Sequence, residues 1–241
     1  MDFNYLNTLS VDTCKRLFND YKESLLSESK TAKYVVDKTI TWNNSPGALN
    51  VIQIRCNELF VANDKKFNND WMITVENPSG ENKYGNPKLE VYSVTVDPKI
   101  QRNNMAFVME QITRRHIGYH KWNPARIALR QDQGSLNYRT WVARQTKKNG
   151  KWINREELGF FTIHTHDNGG FSNSSLGCTI LSSLDTYKKY FKPALVRVQK
   201  AKQDKDIPLM IVRENVFVNL YENKQAFAVN GINVKNIGAK P

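Results

Sequence analysis

The stretch Gly159-Phe-Phe-Thr-Ile-His-Thr-His-Asp-Asn-Gly-Gly-Phe-Ser-Asn-Ser-Ser-Leu-Gly-Cys178 decides how the rest of the chain is interpreted. It holds two of the four histidines and one of the three cysteines. His164 and His166 are separated by one residue, which puts both side chains on the same side of a strand. Gly177, directly before Cys178, permits a tight backbone turn. The stretch therefore predicts a strand, a glycine-rich loop and a second strand that presents a reactive side chain.

The first chemistry that this stretch allows is nucleophilic catalysis by a thiol. A cysteine nucleophile needs a base that takes its proton and backbone donors that bind the oxyanion. His164 precedes the loop and can reach the sulfur of Cys178, while Ser175 and Gly177 shape the approach to it. We therefore predict catalytic roles for these four residues. The alternative is that Cys178, which is followed by Thr-Ile-Leu, is an inert core residue.

The second chemistry is metal binding, because two histidines at positions i and i+2 of a strand can reach one zinc ion. His164, His166 and Ser174 match part of the pattern of JAMM metalloproteases, which this short segment resembles. That pattern ends on an aspartate ligand at the position where this chain has Gly177. A His-x-His pair alone is a weak signal. We therefore predict no metal and no cofactor, and keep a JAMM-like zinc isopeptidase as the third hypothesis.

The order of these residues also resembles the catalytic segment of L,D-transpeptidases, the YkuD-like domains. That segment reads Ile-His-Gly, then a loop, then Ser/Thr-x-Gly-Cys, and this chain has Ile163-His164 followed by Ser175-Leu-Gly-Cys178. The chain is most similar to a divergent phage and prophage branch, which has Phe-Gly-Ile-Asn-Ile-His before the loop where this chain has Gly159-Phe-Phe-Thr-Ile-His164. The resemblance covers roughly residues 49 to 192, and only the histidine-to-cysteine segment is specific.

This resemblance implies both a fold and a reaction. The fold would be mainly β, a sandwich-like L,D-transpeptidase catalytic domain with a few short helices. Cys178 would be the nucleophile, His164 the general base, and the N–H groups around Gly177 the oxyanion hole. Attack on a stem peptide of bacterial peptidoglycan would give a thioester, which an amine resolves by transpeptidation or water by hydrolysis. The substrate-binding residues are predicted to be His166, His120 and Gly170.

The chain departs from the family pattern at two positions. Thr165 follows the histidine where the family has glycine, and Ile180 stands where the family commonly has an arginine near the substrate. These departures favour a stem-peptide hydrolase over a transpeptidase. They also keep open the main alternative, a non-catalytic tail or baseplate protein of a virion that has the same fold and binds the wall or other virion proteins.

Composition limits the partners and the location. Lys and Arg number 35 and Asp and Glu 23, so the net charge is 35 − 23 = +12. Such a charge attracts polyanions. An anionic cell wall is one such partner, and the charge does not exclude nucleic acid as another. No apolar run approaches the ~18 residues of a membrane span, and the N-terminus has no basic start followed by an apolar run. We therefore expect a protein without a signal peptide that is virion-associated, or made in the host cytoplasm and delivered to the wall.

The local patterns predict three parts, with boundaries at 1–33, 34–200 and 201–241. The first is a helix capped by Ser10 with a linker, the second is the β-rich YkuD-like domain, and the third is a C-terminal β appendage with a strand at Val216–Tyr221. Within the second part, Asn149-Gly150 predicts a hairpin turn. A capping box at Ser182–Asp185 predicts a short helix that ends near Pro193. A last hairpin is predicted at Asn230-Gly231.

Overall fold

The computed structural model describes residues 3–56, 70–80, 84–96, 103–120, 125–131, 135–167 and 178–222. Its strands are β1 (Leu49–Arg55), β2 (Asp70–Glu76), β3 (Lys88–Thr95), β4 (Met105–Val108), β5 (Gln111–Tyr119), β6 (Ile127–Arg130), β7 (Thr140–Lys148), β8 (Lys151–Gly159), β9 (Thr165–His166), β10 (Thr179–Leu181) and β11 (Ile207–Arg213). Its helices are α1 (Val11–Ser27), α2 (Leu184–Thr186), α3 (Lys192–Lys200) and α4 (Glu214–Glu222). Shorter 3-10 turns lie at Phe3–Thr8, Ala32–Tyr34 and Leu136–Tyr138, and a π-helical turn at Tyr187–Phe191.

The main sheet is a closed barrel with the strand order β1-β11-β5-β6-β9-β10-β3-β2. Most neighbouring strands are antiparallel, but β1 pairs with β11, and β9 with β10, in parallel. Strands β4, β7 and β8 form a separate three-stranded sheet. All residues of β1 are buried, because both its edges are paired and both its faces are covered by other parts of the chain.

The barrel is closed through β9 and β10, which are only two and three residues long. Gln53 of β1 holds both strands: its amide nitrogen donates to the Thr165 hydroxyl at 3.0 Å, and the Thr179 hydroxyl donates to its amide oxygen at 3.2 Å. Because β9 lies opposite β1 in the strand order, these bonds cross the barrel interior. Side chains alternate along a strand, so His164 and His166 point away from that interior.

Helix α1 covers the outer face of the barrel. The Ser10 hydroxyl accepts the backbone N–H of Thr13 at 3.1 Å, which confirms Ser10 as the N-cap. The buried residues of α1 follow a helical spacing and are Cys14, Leu17, Phe18, Tyr21 and Leu25. They form the first core together with Ile52 and Ile54 of β1 and with Phe217 and Leu220 of α4. The N-terminal segment therefore shares its core with the barrel strands.

A second core lies on the opposite face of the sheet, where the segment 184–200 packs. Leu49 and Val51 of β1 contact this core together with Phe191 and Leu195. The capping prediction was wrong in detail: Ser183 caps the segment, and helical structure continues beyond Pro193 to Lys200. Pro193 is tolerated because it lies in the first turn of α3, directly after the wide turn Tyr187–Phe191.

The hairpin between β7 and β8 is confirmed. Asn149 and Gly150 have φ values of 50° and 79°, the left-handed conformations that a two-residue type I′ turn requires at both positions. The register runs from Thr140 opposite Gly159 to Lys148 opposite Lys151 without interruption.

The C-terminal prediction needs two corrections. Strand β11 is not part of an appendage, because it lies inside the barrel between β1 and β5. Its apolar run is buried on both faces, because Met210 and Val212 belong to the first core and Leu209 and Ile211 to the second. Val216–Tyr221 is not a strand but part of α4, where Phe217 and Leu220 are buried with the three-residue spacing of a helix face. The hairpin predicted at Asn230-Gly231 lies outside the described residues.

The prediction of a mainly β chain with few helices is confirmed, and its larger sheet has the form of an eight-stranded barrel. In the described ranges, every helix is too short or too polar to cross a membrane.

Phe191 and Tyr190 give a matched test of the second core. Phe191 is fully buried and Tyr190 is half exposed. We expect Phe191→Ala to lower the free energy of unfolding by about 3–5 kcal/mol, because it leaves a cavity, and Tyr190→Ala to change it by less than about 0.5 kcal/mol. Urea denaturation measures both values, and equal losses for the two variants would contradict this account of the core.

Candidate functional site

The parallel pairing of β9 with β10 brings two predicted site residues to the same place. The backbone N–H of Thr179 donates to the carbonyl oxygen of His164 at 2.9 Å, so Cys178 lies beside the strand that carries both histidines. Gly170, Ser175 and Gly177 belong to residues outside those that the structure describes. The described part of the site therefore consists of the half-buried Cys178 and the side chains around it.

The Cys178 thiol lies close enough to the His166 imidazole to affect its pKa, and its sulfur lies 3.8 Å from the carbonyl oxygen of Thr162. Burial lowers the pKa of His166, but the interactions with Asp167 and Cys178 raise it more, to about 9. His166 is therefore protonated at neutral pH. A cysteine beside a protonated imidazole is in the environment that activates thiol nucleophiles.

Asp167 and Arg126 hold the other side of the His166 ring. Nδ1 of His166 is hydrogen-bonded to the carbonyl oxygen of Asp167. The Asp167 carboxylate lies 3.9 Å from Nδ1 and acts on the ring as a nearby negative charge. Nε of Arg126 donates to this carboxylate at 2.9 Å. Burial raises the pKa of Asp167, but the nearby His166 ring and the bond with Arg126 lower it to about 2, so it stays ionised.

His164, the predicted base, has a lowered pKa, whereas that of His166 is raised. Its ring is only 4% exposed, and burial, followed by the positive charge of Arg130, lowers its pKa to about 3. A neutral imidazole with so low a pKa is a poor proton acceptor at neutral pH. The structure places the His166 ring close to the thiol. The signal in the sequence for the difference between the two histidines is Asp167, an acidic residue directly after His166.

His120 completes a cluster of three histidine rings. It stacks on His166 with ring centroids 4.1 Å apart and an interplanar angle of 21°. It meets His164 edge to face at 5.4 Å. The backbone N–H of His120 donates to the carbonyl oxygen of Arg126 at 2.7 Å, which fixes its place at the end of β5. His120 therefore supports the His166 ring, and its predicted role in substrate binding stays a prediction.

Gln131 positions the chain that leads into His164, and neither this residue nor Arg126 was singled out from the sequence. The amide oxygen of Gln131 accepts the N–H groups of Phe161 and Ile163 at 2.9 and 3.2 Å, and its amide nitrogen donates to the carbonyl of Gly159 at 3.1 Å. Between these bonds, Thr162 has a φ of 56°, which is strained for a β-branched residue. The strain is located at the carbonyl that the thiol contacts.

The rings do not form a metal site. Within the described ranges, no three His, Cys, Asp or Glu side chains are arranged to hold a metal ion. His120 and His166 stack face to face, whereas ligands of one ion direct ring nitrogens at a common point. The arrangement suits transfer of a proton between the thiol and one imidazole.

Comparisons with family models, with curated proteins and with solved structures find no match for this chain.

The low pKa of His164 predicts how stability depends on pH. The unfolded chain binds a proton at this residue below about pH 6.5, whereas the folded protein binds it only near pH 3. Between these values the unfolded chain binds more protons, so stability falls as the pH falls, by up to about 1.4 kcal/mol per pH unit. We expect the free energy of unfolding, measured in urea between pH 6.5 and about 5, to fall less steeply in His164→Asn than in the wild type.

The control for this experiment is Gln203→Asn, which changes a half-buried side chain that does not ionise. This variant should keep the wild-type pH dependence. Equal slopes for the wild type and His164→Asn would show that His164 is not held neutral by the fold.

Gln53 gives a test of what holds β9 and β10. Gln53→Met has a similar volume but leaves the hydroxyl groups of Thr165 and Thr179 without their bonds to the amide, so we expect a loss of about 1–3 kcal/mol in the free energy of unfolding. Gln203→Met changes a half-buried glutamine after α3 and should cost less than about 0.5 kcal/mol. Urea denaturation compares them, and a Gln53→Met protein as stable as the wild type would rule out this role.

Proposed function

We propose that the protein is a thiol-dependent enzyme that acts on the peptide part of peptidoglycan, with Cys178 as the nucleophile and His166 as the base. The observation that carries the proposal is the position of the Cys178 thiol close to a His166 ring whose Nδ1 is hydrogen-bonded to the carbonyl oxygen of Asp167. This is the geometry of a nucleophile, a base and a group that orients the base.

The reaction follows from these contacts. The raised pKa of His166 means that its ring already holds the proton in the resting pair, so the Cys178 sulfur attacks a substrate carbonyl carbon as the thiolate, beside the imidazolium, to form a tetrahedral intermediate. His166 then gives the proton to the leaving amine as the C–N bond breaks, and a thioester remains. Water, deprotonated by His166, attacks the thioester and releases the free thiol and a carboxylic acid, whereas attack by an amine would give a new amide.

The oxyanion of the intermediate needs backbone donors. The N–H of Thr179 is not available for this purpose, because it donates to the carbonyl of His164. We therefore propose that the donors are the N–H of Cys178 and those of the preceding residues, including Gly177, as the resemblance to L,D-transpeptidases implies.

The choice of peptidoglycan as substrate is supported by two properties of the chain. One is the resemblance of the segment from Ile163 to Cys178 to L,D-transpeptidases, and the other is the net charge of +12, which favours binding to an anionic wall. Thr165 and Ile180, where that family has glycine and commonly arginine, favour hydrolysis over transfer. The base is the one role that we propose to move, from His164 to His166.

The experiment is muropeptide analysis of purified sacculi after incubation with the protein. We expect the wild type to cleave a stem-peptide bond, Cys178→Ala to abolish cleavage, and His166→Asn to lower the rate by roughly 10²–10⁴-fold. His164→Asn should lose less activity than His166→Asn, because His164 is not the proton acceptor. A chelator should leave the activity unchanged.

The control is Cys56→Ala, which removes the other half-buried thiol and should keep the activity. Cleavage that survives in Cys178→Ala would exclude the thiol mechanism. Absence of cleavage in sacculi of several chemotypes would instead favour the structural role in a virion.

A further inference from the structure

An open polar pocket lies beside β5, in a different part of the chain from the Cys178 site. Its described lining consists of residues 41–45, Arg114 of β5 and Asp206, which directly precedes β11. Its volume of about 490 Å³ is in the range of sites that bind small molecules. The side chains of its walls therefore indicate which class of ligand it would take.

The first wall of the pocket, residues 41–45, is held in place by buried side chains. Trp42 is buried in the first core. The Asn50 amide binds both backbone groups of Asn43: its oxygen accepts the N–H at 2.7 Å and its nitrogen donates to the carbonyl at 2.9 Å. The amide of Asn77 donates to the same carbonyl at 2.9 Å. Because this wall is ordered in advance, a ligand does not have to order it on binding.

Asp206 provides a carboxylate that is fixed by the fold and yet open to solvent. Its φ of 55° is left-handed, a conformation that residues other than glycine seldom adopt and that is often found at ligand sites. The Tyr138 hydroxyl holds it at two points, donating to Oδ1 at 3.0 Å and accepting the backbone N–H at 2.9 Å. The side chain is nevertheless 59% exposed, so the carboxylate can accept further hydrogen bonds.

Arg114 is shared between two carboxylates, and this limits the charge of a ligand. Its Nε donates to Asp37 at 2.6 Å, and its Nη1 lies 3.7 Å from Oδ1 of Asp206. Two carboxylates against one guanidinium leave no positive charge to attract an anion, and the guanidinium itself repels a metal cation. The pocket therefore suits an uncharged ligand with many hydrogen-bonding groups.

We propose that this pocket binds a neutral sugar. A hydroxyl group donates one hydrogen bond and accepts others, so neighbouring hydroxyls of a sugar ring match the Asp206 carboxylate on one wall and the exposed Asn44 amide on the other. A peptide fits less well, because Trp42 is the one apolar residue of the described lining and it is buried. This inference goes beyond the proposed function and does not rest on it.

The test is an amide NMR titration of the full chain with two neutral sugars, the trimer of N-acetylglucosamine and maltotriose, at about 0.15 M salt. We expect saturable shifts of the backbone N–H signals of residues 41–45 and Asp206 with at least one of them. Tighter binding of the first trimer would identify an amino-sugar polymer, such as the glycan of a cell wall, as the source of the ligand. Tighter binding of maltotriose would identify a glucan.

Two variants test the walls separately. Asp206→Asn should weaken binding by roughly 10-fold, because an ionised acceptor makes the stronger hydrogen bonds, while asparagine tolerates the left-handed backbone. Asn44→Ala should weaken binding by roughly 3-fold or more, because it removes the amide from the exposed wall. Asp204→Asn is the matched control, since it neutralises an aspartate that lies outside the described lining, and it should keep the wild-type affinity.

The absence of saturable shifts with both sugars would overturn the proposal, as would an unchanged affinity in both Asp206→Asn and Asn44→Ala. Equal or tighter binding of an anionic sugar, the trimer of galacturonic acid, at the same residues would also overturn it, because the pocket would then not select a neutral ligand. Sugar binding together with intact sacculi would keep the sugar site and reject only the proposed function. Cleavage of sacculi without sugar binding at this pocket would do the reverse.

Discussion

The two hydrogen bonds made by the Gln53 side-chain amide are the constraint on which the site depends. They reach from β1 across the barrel interior to Thr165 and Thr179, and so they hold together two strands that are too short to be stable through their own pairing. Because side chains alternate along a strand, fixing these two threonines inside the barrel also fixes their neighbours on the other face. The barrel is closed and the thiol is brought beside the histidines by the same two strands.

The two histidines of this strand differ in chemistry although they share one face. His166 gains Asp167 and Cys178 as partners and has a raised pKa, whereas His164 is buried near Arg130 and Arg115 and has a lowered one. Pairs of titratable groups whose surroundings separate their pKa values are typical of sites that transfer protons. In the proposed mechanism His166 exchanges the proton, and His164 remains neutral and available for hydrogen bonding.

Local patterns in the sequence predicted the features that local physics determines. Ser10 as a helix cap, the Asn149-Gly150 turn and the mainly β composition could be predicted because each depends on neighbouring residues. The place of β11 inside the barrel could not, since an apolar strand carries no signal for which strands it pairs with. The helix at Val216–Tyr221 was missed because its β-branched residues favour a strand. Packing of its buried face on α1 stabilises the helix instead. The low pKa of His164 depends on charges from Arg130 and Arg115, which lie far from it in sequence.

The most direct test of the central claim is an NMR titration of the His166 ring in the wild type and in Cys178→Ala. The account predicts a His166 pKa well above the ordinary histidine value of about 6.5, near 9 in the wild type, which falls when the thiol is removed, while the His164 ring stays neutral throughout. A His166 ring that titrates at the ordinary value, or whose pKa is the same in both proteins, would contradict the contact between Cys178 and His166 on which the proposed function rests.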